Sequence, residues 1–411
     1  MEHPSPPPSG DRPPVPAHPR WTPFRPGPAD LQRIAGEVAP VRDIQSRLRE
    51  RHPDLQAPDR VAHQYQIAGG RVELRVDEGV PDPLQGVGLF VPGARHVGIG
   101  RVSTGLGCPH LETDPDFLGL MLAFHTASGR RVDFLGLNDP AAPTDDHRSF
   151  VELLAATADS AGTEVPFGGV GERDLVDLAA TQTRFAASLV KRLGLRRGLA
   201  GLGHILVQTQ RTLLSSSAYQ TYWTGVVEVE GTAGKFVFTP GRGGKPSHPG
   251  LRPGERHLTE DWRRRQAEDP LTFRMSWIPY LDEGRTPLDK LTEGWTEERR
   301  PVGTVTFPRT DPDSDEARAW ASLASEMGAN PGHWVHDRGD TVAHPATEFG
   351  VARSIAYGGS QQGRGALPEE LYRSVFETGR IGPELAEELR RRRAAKEEAG
   401  HVSWSPAAPH P

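Results

Sequence analysis

Near the C-terminal end of the 411-residue chain stand Arg353 and Tyr357, four positions apart. On a helix that spacing puts both side chains on one face, a turn apart. A guanidinium held against a phenol oxygen favours the phenolate, a hard anionic oxygen suited to ferric iron. Gly358 and Gly359 are predicted to end the helix, and Arg364 follows seven residues after the tyrosine, about two turns if the helix continued. Taken alone, an Arg–Tyr pair at this spacing is usually a solvated surface pair.

Further groups that could do chemistry lie upstream. Arg60-Val61-Ala62-His63 reads as strand, so alternation turns Arg60 and Ala62 to one face and Val61 and His63 to the other. An imidazole there is either a hydrogen-bonded core histidine or a base. Arg101 and Ser103 share a strand face, and a serine hydroxyl there can orient a histidine ring from a neighbouring strand. Asn138 precedes Asp139-Pro140, ordinary turn chemistry that also offers an amide donor. Asp146 is a predicted N-cap, and Phe150 is in the first place core. Gly241–Ser247 lacks the leading glycine of a phosphate loop, no G-x-S-x-G elbow occurs, and His333 and His336 have no carboxylate at a zincin spacing.

The elements that must position these groups follow from periodicity. Residues 1–28 are proline-rich and poor in aliphatics, which predicts a disordered arm. The spacing of Leu31, Ile34, Val38, Val41, Ile44 and Leu48 predicts two short helices broken at Pro40. Short β-type runs follow at Val61–Ile67, Arg71–Val76, Val87–Val91, Val97–Val102, Leu118–Thr126 and Arg131–Leu135, punctuated by glycine and proline. Helical patterns cover 146–158 and 173–212. Strands resume at Thr221–Val229, Gly234–Thr239, Leu271–Ile278 and Val302–Phe307, and helices return at 314–326, 346–357, 368–378 and 383–398. Strands, helices, strands, helices is α+β order, and the meander points to an antiparallel barrel or sandwich.

Composition narrows the function classes. A net charge of −6 shows no basic surplus and argues against nucleic acid and anionic membranes as partners. The lone cysteine, Cys108, excludes disulfide scaffolding and cysteine-based zinc sites and predicts a reducing, cytoplasmic home. Met1-Glu2-His3-Pro4 does not begin a signal peptide, and no apolar run reaches membrane-spanning length.

In order along one chain, these groups resemble the motifs of the haem catalases: Arg60-Val-x-His63, Arg101-x-Ser103, Gly136-x-Asn138-x-Pro140, Asp146-x-x-x-Phe150 and Arg353-x-x-x-Tyr357 with Arg364. Asp114-Pro115, Phe124–Gly129 and Trp295 with Pro301-Val302-Gly303 are similar to the stretches between those motifs. The resemblance covers about residues 29–365. It implies an antiparallel β-barrel with surrounding helices holding haem b. It also implies Tyr357 as the iron ligand with Arg353 on its oxygen, and Arg60, Arg101 and Arg364 on the propionates. Phe150 is then packed on the porphyrin, His63 is the distal base, Ser103 is bonded to His63, and Asn138 holds the second peroxide oxygen. The domains that follow are an arm (1–28), the haem domain (29–365), C-terminal helices (366–400) and a tail (401–411). The implied activity is peroxide cleavage, acting on hydrogen peroxide or an organic hydroperoxide. An allene oxide synthase-like rearrangement of a hydroperoxide, or haem binding without turnover, stay open, as does a homo-oligomer. The chain departs from the family at Gly358-Gly359-Ser360, where Pro-Asp-Thr is usual. It departs again at Ala62, where catalases commonly carry valine and allene oxide synthases threonine.

Overall fold

The computed structural model describes residues 22–51, 60–107, 112, 116–160, 175–210, 216–241, 256–288, 290–333 and 343–398. Most of the expected arm, the 401–411 tail, Cys108, Asp114-Pro115, His336 and residues 242–247 of the glycine-rich loop lie outside them.

The chain opens with helices α1 (Pro28–Val38) and α2 (Pro40–Arg51), broken at the predicted proline, with Ile34, Val38, Val41, Ile44 and Leu48 buried. A four-strand meander follows: β1 (Gln66–Val76), β2 (Arg95–Thr104), β3 (Leu118–His125) and β4 (Arg131–Leu137). Then come helices α3 (His147–Ser160), α4 (Leu175–Leu193) and α5 (Leu195–Gln210). Strands β5 (Tyr222–Thr224), β6 (Val227–Val229) and β7 (Thr232–Pro240) precede α6 (His257–Glu268), β8 (Leu271–Pro279) and β9 (Arg300–Phe307). The chain finishes with α7 (Asp315–Glu326), β10 (Ala343–Pro345), α8 (Glu348–Gly363), α9 (Arg373–Thr378) and α10 (Pro383–Glu398).

Eight strands pair antiparallel in the order β7-β5-β4-β3-β2-β1-β9-β8, and β8 pairs back to β7, so the barrel closes. Closure leaves no free edge on the ring. Alternation sends Val72, Leu74, Val102, Leu120, Leu122, Phe134, Phe236, Phe273, Met275 and Val305 inward to one core. On the outer wall, Ile99, Met121 and Ala123 pack against Trp320 and Leu323 of α7, Val375 and Phe376 of α9, and Leu385 and Leu389 of α10. The expected α+β barrel with helices outside is what the chain forms.

Several local expectations are corrected. Val87–Val91 is a turn-rich loop, because Gly86 (φ 77°) and Gly88 (φ 54°) are left-handed and fold the run over the barrel end. The run expected at 221–229 splits into β5 and β6 around Gly225. Helix α6 was not anticipated: only part of one face is apolar, and its first turn is held from afar by Glu112, which accepts from Leu258 N at 2.7 Å and Thr259 N at 3.0 Å. Nor does α8 stop after Tyr357. It runs through Gly358 and Gly359 to Gly363, pinned by Gln45 Nε2 on the Ser360 carbonyl (3.4 Å) and Gln361 Nε2 on that of Ala329 (2.6 Å). A helical glycine costs only about 1 kcal/mol, which such anchoring overrides.

Candidate active site

A cavity of about 1310 Å³, counted with its mouth, lies outside the barrel between the outer face of β2–β4 and helix α8. Helix α8 packs on α1, α2 and α3, so the space between it and the barrel wall stays open. The cavity is lined by Arg60, Ala62, His63, Arg101, Ser103, Phe150, Arg353, Tyr357 and Arg364 among others, and its walls include Val38, Val41, Met121, Leu135, Val151 and Ala352. Of the candidate catalytic and haem-binding residues, Asn138 alone is not on this wall. Its Oδ1 accepts from Leu118 N at 2.8 Å and its Nδ2 makes a long 3.5 Å contact to Gln220, one residue beyond the lining Leu137.

Residues 60–63 are not a strand. They are a loop entering β1, and His63 sits at φ 57°, a left-handed conformation uncommon in a residue with a Cβ. That twist abolishes the expected alternation, so Arg60, Val61, Ala62 and His63 all reach the one cavity. His63 N donates to the Gly105 carbonyl at 2.8 Å and Arg101 Nη2 donates to the His63 carbonyl at 2.8 Å, which hold the strained residue from both sides. The imidazole Nδ1 is 3.1 Å from the Thr104 carbonyl and 3.3 Å from Ser103 Oγ. A carbonyl can only accept, so Nδ1 carries the proton and Nε2 is the basic nitrogen. Burial, then the charge of Arg101, push the ring's pKa down to about 4, so it is neutral at neutral pH. Gly119 gives the ring its space: a Cβ there would lie 2.5 Å from His63 Cε1 and Nδ1.

Arg101 is 5% exposed and among the described residues bonds only uncharged groups, the carbonyls of His63 and Gln64 and the side chain of Gln66. Burial, then Arg60 and Arg364, drive its pKa well below the usual arginine range, while Tyr357 acts in the opposite direction. Arg60 reaches the Ser325 carbonyl, and Arg364 those of Glu326 (3.2 Å) and Met327 (2.6 Å). Because α8 continues through its glycines, Arg364 caps its end and lines the same cavity as Tyr357. Three guanidiniums thus converge on one wall.

The Arg353 guanidinium lies over the Tyr357 ring, its Cζ 5.7 Å from the centroid, rather than on the phenol oxygen. A Cβ at Gly225 would come within 3.1 Å of its Nη1, so that glycine admits the side chain. Phe150 meets Phe349 edge-on at 6.0 Å, and both line the cavity. Asp146 caps α3 as expected, accepting from Ser149 N at 2.7 Å.

Sequence reasoning missed the supports of α8. Asp133 on β4 is fully buried, accepts from Arg131 Nε (2.8 Å) and Asn330 N (2.8 Å), and lies 2.6 Å from His333 Nδ1. Asn330 in turn donates to the Ser354 carbonyl at 3.0 Å and accepts from Ser354 Oγ at 2.8 Å, which ties the barrel wall to α8 one turn before Tyr357. No spacing in the sequence joins Asp133, Asn330 and Ser354. Glu37, His147 and Glu348 bring ligand atoms within 4.8 Å of one another, as a metal site would. However, Arg33 grips both glutamates and Arg148 takes Glu37, whose pKa falls to about 2, first through Arg148. The cluster is already neutralised. It closes the cavity beside α1.

No protein-family model matches the sequence, and no curated protein matches it. Solved structures do match in shape. A fungal catalase superposes with a TM-score of 0.58 at 14% identity, over 80% of this chain and 62% of that one. A bacterial catalase gives 0.56 at 16% identity, over 79% and 60%. Catalase A from Saccharomyces cerevisiae gives 0.55 at 13% identity, over 80% and 64%. The chain therefore spans about three-fifths of the length of the solved catalases it matches. At these identities the likeness speaks for the architecture, and with the closed eight-strand barrel and its outer helices it makes this a catalase-like fold.

Proposed function

We propose that this chain holds haem b in the cavity between β2–β4 and α8 and uses it to cleave peroxides. The observation that carries the reading is Arg101: a buried guanidinium with no carboxylate partner among the described residues, facing a largely apolar cavity beside Arg60 and Arg364. Such a wall suits a flat, apolar dianion. Arginine is the side chain best fitted to buried carboxylates. Arg60, Arg101 and Arg364 would hold the two propionates, Tyr357 would offer its phenol oxygen to the iron, and Phe150 would pack on the ring. When bound, haem supplies an iron centre able to exchange two electrons with the O–O bond.

The chain's own part is proton transfer and positioning. Neutral His63, fixed with its proton on Nδ1, accepts the hydroperoxyl proton at Nε2 and returns it to the departing oxygen. Such assistance is worth about 10²–10⁴-fold. Ser103 and the Thr104 carbonyl keep the ring in that tautomer. Asn138 has its Oδ1 taken by Leu118 N, and its Nδ2, held only by a long contact to Gln220, would be the donor for the second peroxide oxygen. A basic Nε2 ready in the cavity weighs against haem binding without turnover.

Ala62 favours a second reading within the same pocket. It leaves open space beside His63 for an organic hydroperoxide, which the enzyme would then rearrange. Oxygen release from hydrogen peroxide, set beside product analysis with a fatty-acid hydroperoxide, separates the two. A purified protein that takes up no haem overturns both.

A further inference from the structure

Helix α5 carries apolar residues on two faces. Inward, Ile205 joins Phe185 and Leu189 of α4 and Leu153 of α3 in one cluster, against which Phe150 packs from the cavity and half-buried Leu202 packs from the helix flank. Outward, Leu195 is 66% exposed, Leu199 54%, Leu206 39% and Val207 59%. Leu195, Leu199 and Leu206 stand at i, i+4 and i+11, one stripe of the helix on which Leu202 (i+7) is the half-buried member, with Arg196 and Val207 about a third of a turn round from it. Among the described residues, most of the exposed large hydrophobics fall on this one helix. That concentration marks a contact surface rather than scattered exposure.

The charge around the stripe is one-sided. Helix α5 contains no acidic residue, and Lys191, Arg196 and Arg197 are exposed with no acidic partner among the described residues. Arg192 alone of this group is held, by Glu152 and Asp159. A chain of net charge −6 thus gathers a basic, leucine-bearing ridge in one place. A second copy seated here about a two-fold axis would set like charges against each other with no carboxylate on α5 to answer them. An amphipathic basic helix of this kind fits anionic headgroups above an acyl boundary.

We propose that the outward face of α5 docks on an anionic lipid bilayer, with Leu195, Leu199, Leu206 and Val207 in the acyl boundary and Lys191 and Arg196 on the headgroups. The docked face adjoins an opening. Arg192, Leu193 and Arg197 rim a second pocket, which shares His147 and Phe349 as its dividing wall with the main cavity. Docking sets that rim at headgroup level, where a lipid hydroperoxide would enter. The docking is independent of the peroxide reading; only this delivery role rests on it.

Co-sedimentation of the full chain with phosphatidylcholine vesicles, with and without phosphatidylglycerol, tests the proposal. The chain should pellet with the phosphatidylglycerol vesicles, release as salt rises, and bind phosphatidylcholine alone weakly. Arg196→Gln should weaken binding about fivefold. Leu199→Glu with Val207→Glu should abolish it with the circular-dichroism melt unchanged, because both side chains already face water. Tyr357→Phe should bind vesicles like the parent, whatever its haem content. Absence of vesicle binding by the parent overturns the docking, as does full binding by the double variant. So does a dimer in size-exclusion chromatography that Leu199→Glu disperses, which would assign the face to a second copy.

Discussion

Arg101 donates from Nη2 to the backbone carbonyl of His63 at 2.8 Å, so the buried cation holds the main chain of the residue whose imidazole lines the cavity. The group that would hold a propionate therefore also holds the strained residue that would act as base. On the proposed reading, anion binding and base positioning would be coupled through one side chain.

Arg101→Lys keeps a positive charge and loses the fork that spans His63, Gln64 and Gln66. A hydrogen bond to a charged group is worth about 1.5–3 kcal/mol. Haem affinity should fall about ten- to a hundredfold, measured by titrating the haem-free protein with haem. Peroxide turnover per bound haem should fall with it. Unchanged affinity and turnover would remove Arg101 from the site.

His63 separates binding from chemistry. His63→Ala should retain haem and lose about 10²–10⁴-fold in peroxide reactivity. His63→Gly should lose the same reactivity and yet melt higher than His63→Ala, because glycine adopts φ 57° without the cost of about 1–2 kcal/mol that a Cβ brings there. Loss of haem in both variants would make His63 an iron ligand instead.

Tyr357→Phe nearly preserves volume and removes the phenol oxygen. The variant should fold and hold little haem, or hold it with an altered ferric spectrum. An unchanged spectrum and stoichiometry would exclude Tyr357 as the ligand.

Gly119→Ala puts a methyl 2.5 Å from the His63 ring. Overpacking of this kind costs about 1–3 kcal/mol. The imidazole is the group able to give, so peroxide reactivity should fall toward that of His63→Ala while haem is retained. Wild-type reactivity would show that the ring has another place to go.

The depressed pKa of His63 sets a pH window. Well above pH 6.5 the imidazole is neutral in both the folded and unfolded chain and adds no pH dependence. Between 6.5 and about 4 the unfolded chain takes a proton that the folded one refuses, so stability falls as pH falls across that range. His63→Asn should flatten this part of the denaturation curve. Reactivity of the parent should hold down to about pH 4–5, below where an ordinary histidine would already be charged. An acid limb centred at 6.5 would mean that water reaches the ring.

Much was settled by local sequence alone. Alternating apolar residues such as Val72 and Leu74, or Leu120 and Leu122, can bury only one face, so they specified barrel strands wherever period two persisted. The four-residue step from Arg353 to Tyr357 placed both on one side of α8 before any fold was known. The spaced Arg, His, Ser and Tyr motifs named most of the cavity's polar lining. What remained depended on long-range contact. His63 reads as a strand residue until Gly105 and Arg101 hold it at φ 57°, and only that turns it into the cavity beside Arg60. Gly358 and Gly359 read as a helix end until Gln45 and the Ala329 carbonyl hold the helix together, which is what delivers Arg364. His333 reads as a surface residue until Asp133, two hundred positions away, meets it. Asn138 shows the limit from the other side, since its motif is intact while its Oδ1 is taken by Leu118 N and the residue is not part of the cavity lining. Periodicity records which face of an element is buried. It carries no record of which distant backbone carbonyl or carboxylate will be there to meet it, and at this site those meetings decide where each group points.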